Sequence, residues 1–179
     1  MSSPKRATGR HPIRWMSERD RNMTRNFRKM YSVIGALLLL EFLAQFYTIA
    51  SSAFTSVADK IANAGNPTAA SAVDEIDLFG AAHAVIGVFV VPITILALII
   101  LSFGARYPRK STIMAALLFL LWVVQFALAF VGFLGVAAIA GLHGINALVM
   151  VGLGIYLVRS NWAFWRQAPA PTQPNEIRL

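Results

Sequence analysis

The chain has 179 residues, of which 57% are hydrophobic, and its mean hydropathy is +0.61. Soluble domains are closer to half apolar, so the excess indicates long segments that face lipid. Cysteine is absent, which excludes disulfides, thiolate metal sites, iron–sulfur clusters and covalently attached c-type haem.

Basic residues are concentrated at the N-terminus. Nine of the sixteen lysines and arginines precede residue 30, and the net charge is +8. We expect this arm, residues 1–30, to face anionic lipid headgroups, and we expect no nucleic-acid partner. Residues 12–28 mix arginines with apolar side chains, which fits a short interfacial helix or a disordered arm that only sets topology. We favour the disordered arm, with His11 solvated.

Four apolar runs of membrane length follow, and they predict an all-α, antiparallel four-helix membrane bundle. The first run is long enough to be a retained helix, although Ala50-Ser51-Ser52-Ala53 resembles a weak signal-peptide cleavage site. Pro92 predicts a kink in the second run. The runs cover residues 31–54, 78–104, 112–138 and 141–158.

The connections between the runs differ in charge. Residues 55–77 are acidic and end at Asp77, a candidate helix N-cap, whereas residues 105–111 are basic. Ser111 or Thr112 is the expected cap of the third helix, and residues 139–140 are the expected tight turn before the fourth. The positive-inside rule places both termini in the cytoplasm, including a tail at 159–179 that begins with an aromatic and basic belt and is expected to be disordered over 168–179. We expect a bacterial cytoplasmic membrane.

Residues 36–46 align without gaps with residues 116–126, and Gln45-Phe46 matches Gln125-Phe126. Leucines match by chance in such a composition, but a shared glutamine inside an apolar run is more informative. The alignment predicts a tandem repeat of two helical hairpins related by an axis along the membrane normal. A chance match is the alternative.

One histidine lies near the start of each even-numbered run, among small residues: His83 in the second and His143 in the fourth. Two buried imidazoles can be the axial ligands of a b-type haem, and small neighbours would let a flat ring approach. The alternative is a hydrogen bond between helices. Zinc or copper would need a third ligand such as Asp77. Against haem, only Lys60 offers its propionates a positive charge on the outer side.

The predicted spans also contain other polar side chains. Glu41 is costly in lipid, so it is protonated, paired or facing a wet interior, and Gln45 lies one turn away. The functional interpretations of Glu41 are a proton relay or a hydrogen bond to a quinone, and the structural interpretation is a hydrogen bond to a neighbouring residue. Gln125 and Asn146 are expected to join helices. Because phosphate-binding loops, cysteine nucleophiles and His-Glu-x-x-His are missing, we expect no self-contained enzyme.

Three features together resemble a group of small bacterial four-helix membrane proteins of unknown function. They are residues 79–87 around His83, the basic loop at 106–110, and Leu142-His143-Gly144-Ile145-Asn146. The resemblance covers about residues 31–160. It implies a four-span bundle with His83, His143 and Asn146 as its characteristic polar set, and it implies no activity.

Three hypotheses for function remain. The first is a non-catalytic electron-transfer subunit with haem b held by His83 and His143 in the outer leaflet. The second is a cofactor-free accessory subunit docked on a larger membrane complex. The third is a small carrier that uses Glu41.

Overall fold

The computed structural model describes residues 17–64 and 78–164, which form four helices and no β-strand. Each helix is long and apolar enough to cross a membrane. The predicted all-α, four-span bundle is therefore confirmed. The helices are α1 (Glu18–Ala62), α2 (Leu78–Gly104), α3 (Arg109–Phe133) and α4 (Ala137–Asn161).

The four helices pack in a ring, in which α1 and α3 each contact both α2 and α4. The interior is closely packed and mostly aliphatic, with Leu38, Ile95, Leu98, Leu118 and Leu157 buried. The outer surface is also apolar, with Phe89, Ile93, Ile100, Phe103 and Phe133 exposed. Such a surface suits hydrocarbon rather than water.

Helix α1 is much longer than the predicted first span. Its 45 residues extend roughly 68 Å at about 1.5 Å per residue, whereas a bilayer core is about 30 Å thick. Residues 18–30 are helical, so the preference for a disordered arm is wrong there. Ser17 caps this end, since its Oγ accepts a hydrogen bond from Asp20 N at 3.2 Å.

Predictions on residues 1–16, 65–77 and 165–179, including the Asp77 cap, lie outside the described residues.

Both later turns differ from the prediction by a few residues. Helix α3 begins at Arg109 after an N-cap at Pro108, not at Ser111 or Thr112. It ends at Phe133, and the chain turns through Gly135, whose φ is 90°. Glycine takes this conformation without steric cost, so the turn falls at residue 135 rather than at 139–140.

Polar contacts join the helix ends at the α2–α3 loop. Tyr107 donates from its hydroxyl to Asn161 O of α4 at 2.7 Å, and its ring lies edge-on to Tyr31 of α1 at 4.9 Å. Arg28 Nε donates to Ala105 O at 3.2 Å. These contacts fix the positions of α1 and α4, along their own axes, relative to the α2–α3 loop.

Helix α2 contains a π-helical segment, Ile86–Val90, which ends two residues before Pro92. The N–H of Val91 donates to Ile86 O, five residues back, as in a π-helix. This N–H is therefore not available to Gly87 O, its usual α-helical acceptor. The next candidate donor for Gly87 O is residue 92, and proline has no N–H. Trp122 of α3 supplies the missing donor, with its indole Nε1 2.8 Å from Gly87 O.

We predict that Trp122→Phe destabilises the bundle by about 1–3 kcal/mol, because it leaves the Gly87 carbonyl without a donor. Pro92→Ala restores a backbone N–H at that point. Adding Trp122→Phe to the Pro92→Ala protein should therefore cost much less, with only packing lost. Reversible unfolding in mixed micelles measures the four free energies. Equal losses in both backgrounds would contradict the backbone explanation.

Candidate functional site

The two predicted histidines come together at the end of the bundle away from the α2–α3 loop. His83 near the start of α2 and His143 near the start of α4 have ring centroids 6.4 Å apart, with planes inclined at 62°. Both side chains are partly buried. Because α2 and α4 are diagonal partners in the ring of helices, the imidazoles meet across the bundle interior.

Gln45 of α1 and His83 of α2 form a reciprocal pair. The Gln45 side-chain amide donates to His83 O at 3.0 Å, and His83 Nδ1 lies 3.2 Å from Gln45 O. Each side chain therefore bonds to the backbone of the other residue. We call this the first clasp.

Gln125 of α3 and His143 of α4 repeat this arrangement and extend it. His143 Nδ1 lies 3.1 Å from Gln125 O, and His143 Nε2 lies 3.1 Å from Gln125 Nε2. Asn146 Nδ2 donates to Gln125 Oε1 at 2.7 Å and to Leu121 O at 2.9 Å. We call this network the second clasp. The residues matched by the internal alignment thus make matching contacts in the two hairpins.

These contacts define the neutral tautomer of both rings. A backbone carbonyl can only accept, so the proton of each imidazole lies on Nδ1 and the lone pair on Nε2. The Nε2 atom of His143 then accepts from the Gln125 amide. The structure places no donor from the described residues on Nε2 of His83.

The glycines around the histidines have different roles. A Cβ at Gly87 would lie 3.3 Å from Gln45 Oε1. The absence of a side chain at Gly87 therefore lets the Gln45 side chain of α1 pack closely against α2. A Cβ at Gly141 or Gly144 would meet nothing within 4 Å. Among residues 17–64 and 78–164, nothing therefore covers the backbone of α4 at these two glycines.

Glu41 lies one turn along α1 from Gln45 and does not join either clasp. Its Oε1 is 2.6 Å from Thr94 Oγ1 of α2, and the carboxyl is buried. Sequence reasoning missed Thr94 and Trp122 as partners. Thr94 follows His83 by eleven residues, about three helical turns, which is a signal that both lie on one face.

A metal site built from side chains alone has little support. The described residues contain no group of three or more His, Asp or Glu side chains placed to hold a metal ion. Asp77, the predicted third ligand, is outside the described residues.

In comparisons with known proteins, no family model, no curated relative and no solved structure matches the chain.

The two clasps predict different thermodynamic coupling. Gln45→Ala and His83→Ala should have additive effects on unfolding free energy, because neither bond joins their side chains. Gln125→Ala and His143→Ala should couple by about 0.6 to 1.7 kcal/mol, because their side chains bond directly. Double-mutant cycles in mixed micelles provide the measurement, with the first clasp as the matched control. Equal coupling in the two clasps would contradict these contacts.

Proposed function

We propose that this protein is a small redox subunit of the membrane, in which His83 and His143 are the axial ligands of one b-type haem. The carrying observation is the spacing of their rings. An imidazole nitrogen bonds a metal at about 2.0–2.1 Å and lies about 1.1 Å from its ring centroid, so two opposed imidazoles have centroids roughly 6.3 Å apart. The two rings here are 6.4 Å apart.

The donor chemistry of the pair fits such a group. Metal-binding histidines commonly donate their other ring N–H to a carbonyl, which fixes the tautomer and raises ligand basicity. Both Nδ1 atoms lie against glutamine carbonyls, at 3.2 Å in the first clasp and 3.1 Å in the second. The open backbone at Gly141 and Gly144 offers room at the side of His143. Haem would supply one-electron transfer to a larger membrane complex.

Residues of the chain have separate tasks in this proposal. Gln45 and Gln125 orient the imidazoles through their backbone carbonyls. The Gln125 side chain protects His143 Nε2 with a hydrogen bond in the ligand-free protein, and it must turn away when His143 becomes a ligand. Asn146 holds the Gln125 side chain in place until then.

A cofactor-free accessory subunit is the second candidate. The observation that favours it is the second clasp, in which both ring nitrogens of His143 already have partners. In this case the clasps only lock the two hairpins, and the exposed apolar helix faces dock on other membrane subunits. The two candidates differ in whether the protein carries a chromophore.

We predict that the protein, purified from cells supplied with haem, shows a b-type spectrum on reduction with dithionite. His83→Ala and His143→Ala should each abolish low-spin bis-histidine absorption, because one axial ligand is lost. His11→Ala is the matched control, since this third histidine lies in the N-terminal arm, and it should leave the spectrum intact. A featureless spectrum in the unaltered protein would contradict the haem proposal and favour the accessory role.

The proposed orientation places both termini in the cytoplasm and the α1–α2 connection outside. Because the chain lacks cysteine, single cysteines can report on topology without background. We predict that Asn63→Cys reacts with a membrane-impermeant maleimide in intact cells, whereas Lys110→Cys reacts only after permeabilisation. The reverse pattern would invert the topology and move the histidine pair to the cytoplasmic half.

A further inference from the structure

Glu41 is a buried carboxyl group inside the apolar part of α1, with 6% of its surface exposed. Its Oε2 atom has no hydrogen-bond partner within residues 17–64 and 78–164. An ionised carboxylate spreads its charge over both oxygens, and burying one of them without a donor is expensive. The environment therefore favours the neutral acid.

The contacts of Thr94 fit either protonation state, because its one hydroxyl proton can go to Glu41 Oε1 or to Val90 O. Its Oγ1 lies 2.6 Å from Glu41 Oε1 and 3.1 Å from Val90 O. A hydroxyl has one proton, and a carbonyl only accepts. When Thr94 donates to Val90 O, the short contact to Glu41 needs a proton on the carboxyl oxygen. Glu41, Thr94 and Val90 then form a chain in which every oxygen pair contains one proton.

We propose that Glu41 is a proton-binding site coupled to the histidine pair, protonated in the ligand-free protein and ionised when a positively charged group binds there. The second half rests on the proposed function, because the iron–porphyrin core of an oxidised b-type haem, apart from its propionates, carries one net positive charge. Reduction by a one-electron donor cancels that charge, and Glu41 then takes one proton from bulk water.

Proximity supports this coupling. Glu41 is four residues, about 6 Å of helix rise, from Gln45, whose carbonyl lies 3.2 Å from His83 Nδ1. Unit charges interact strongly across an apolar interior. Among the other titratable groups, Tyr156 lies toward the far end of α4, where its ring centroid is 5.7 Å from Lys110 Nζ. From residue 31 to residue 58 of α1 and along α2 and α4, the other titratable groups are Tyr31, Tyr47, His83, His143, Tyr156 and Arg159, and the remaining charged side chains of α1 lie toward its two ends.

Infrared spectroscopy of the purified haem-free protein tests the first half. We expect a carbonyl band of a neutral carboxylic acid at neutral pH, shifted down in D2O and lost in Glu41→Gln. Thr94→Val should keep this band but move it to higher frequency, because a hydrogen bond is removed. Asp59→Asn is the matched control, since this carboxyl is exposed at the end of α1 and should not contribute. Absence of a band assigned to Glu41 would overturn the proton-binding site.

Reduced-minus-oxidised infrared spectra of the haem-loaded protein test the second half. We expect reduction to increase the Glu41 carbonyl band, and the midpoint potential to fall with rising pH by one proton per electron. Glu41→Gln should remove both effects. A bound haem whose reduction leaves this band and the pH slope unchanged would overturn the coupling. Failure to bind haem would overturn the proposed function and the coupling, while the band of the haem-free protein still decides whether Glu41 holds a proton.

Discussion

Polar groups inside this bundle depend on partners within the protein, because hydrocarbon offers no hydrogen bonds. The π-helical segment of α2 shows how far this constraint reaches. Pro92 lacks an N–H, the preceding turn changes register, and the carbonyl of Gly87 loses its donors within α2. The indole of Trp122 replaces them from α3. A local backbone defect thereby fixes how two helices are rotated against each other.

The same constraint accounts for the histidine pair. A glutamine side chain in a membrane helix needs hydrogen-bond partners, which Gln45 finds in the His83 carbonyl and Gln125 finds in His143 Nε2 and Asn146 Nδ2. Gln45 and Gln125 each place a backbone carbonyl against an imidazole Nδ1, which orients both rings toward the bundle interior. The bonds that join the helices therefore also leave Nε2 of His83 without a donor from the described residues, as the proposed haem ligation requires.

Hydropathy was enough to predict four spans with one histidine near the start of the second and one near the start of the fourth, but not that the two rings meet. Helix ends were less predictable. Residues 18–30 are polar but contain good helix formers, so α1 continues past the apolar run. The partners Thr94 and Trp122 could not be identified, because the rotation of each helix is set by packing, which a hydropathy profile does not contain.

The two clasps are not equivalent, and this asymmetry bears on how a ligand would enter. His143 uses both ring nitrogens in hydrogen bonds, whereas His83 uses Nδ1 and has no described donor on Nε2. In the proposed haem site, ligation through His83 Nε2 would break no bond among the described residues, and ligation through His143 Nε2 would replace one bond to Gln125. Such a replacement costs about one interhelical hydrogen bond, on the order of 1 kcal/mol. In the proposed haem site, a metal–imidazole bond would offset this cost, so the second clasp is compatible with that proposal.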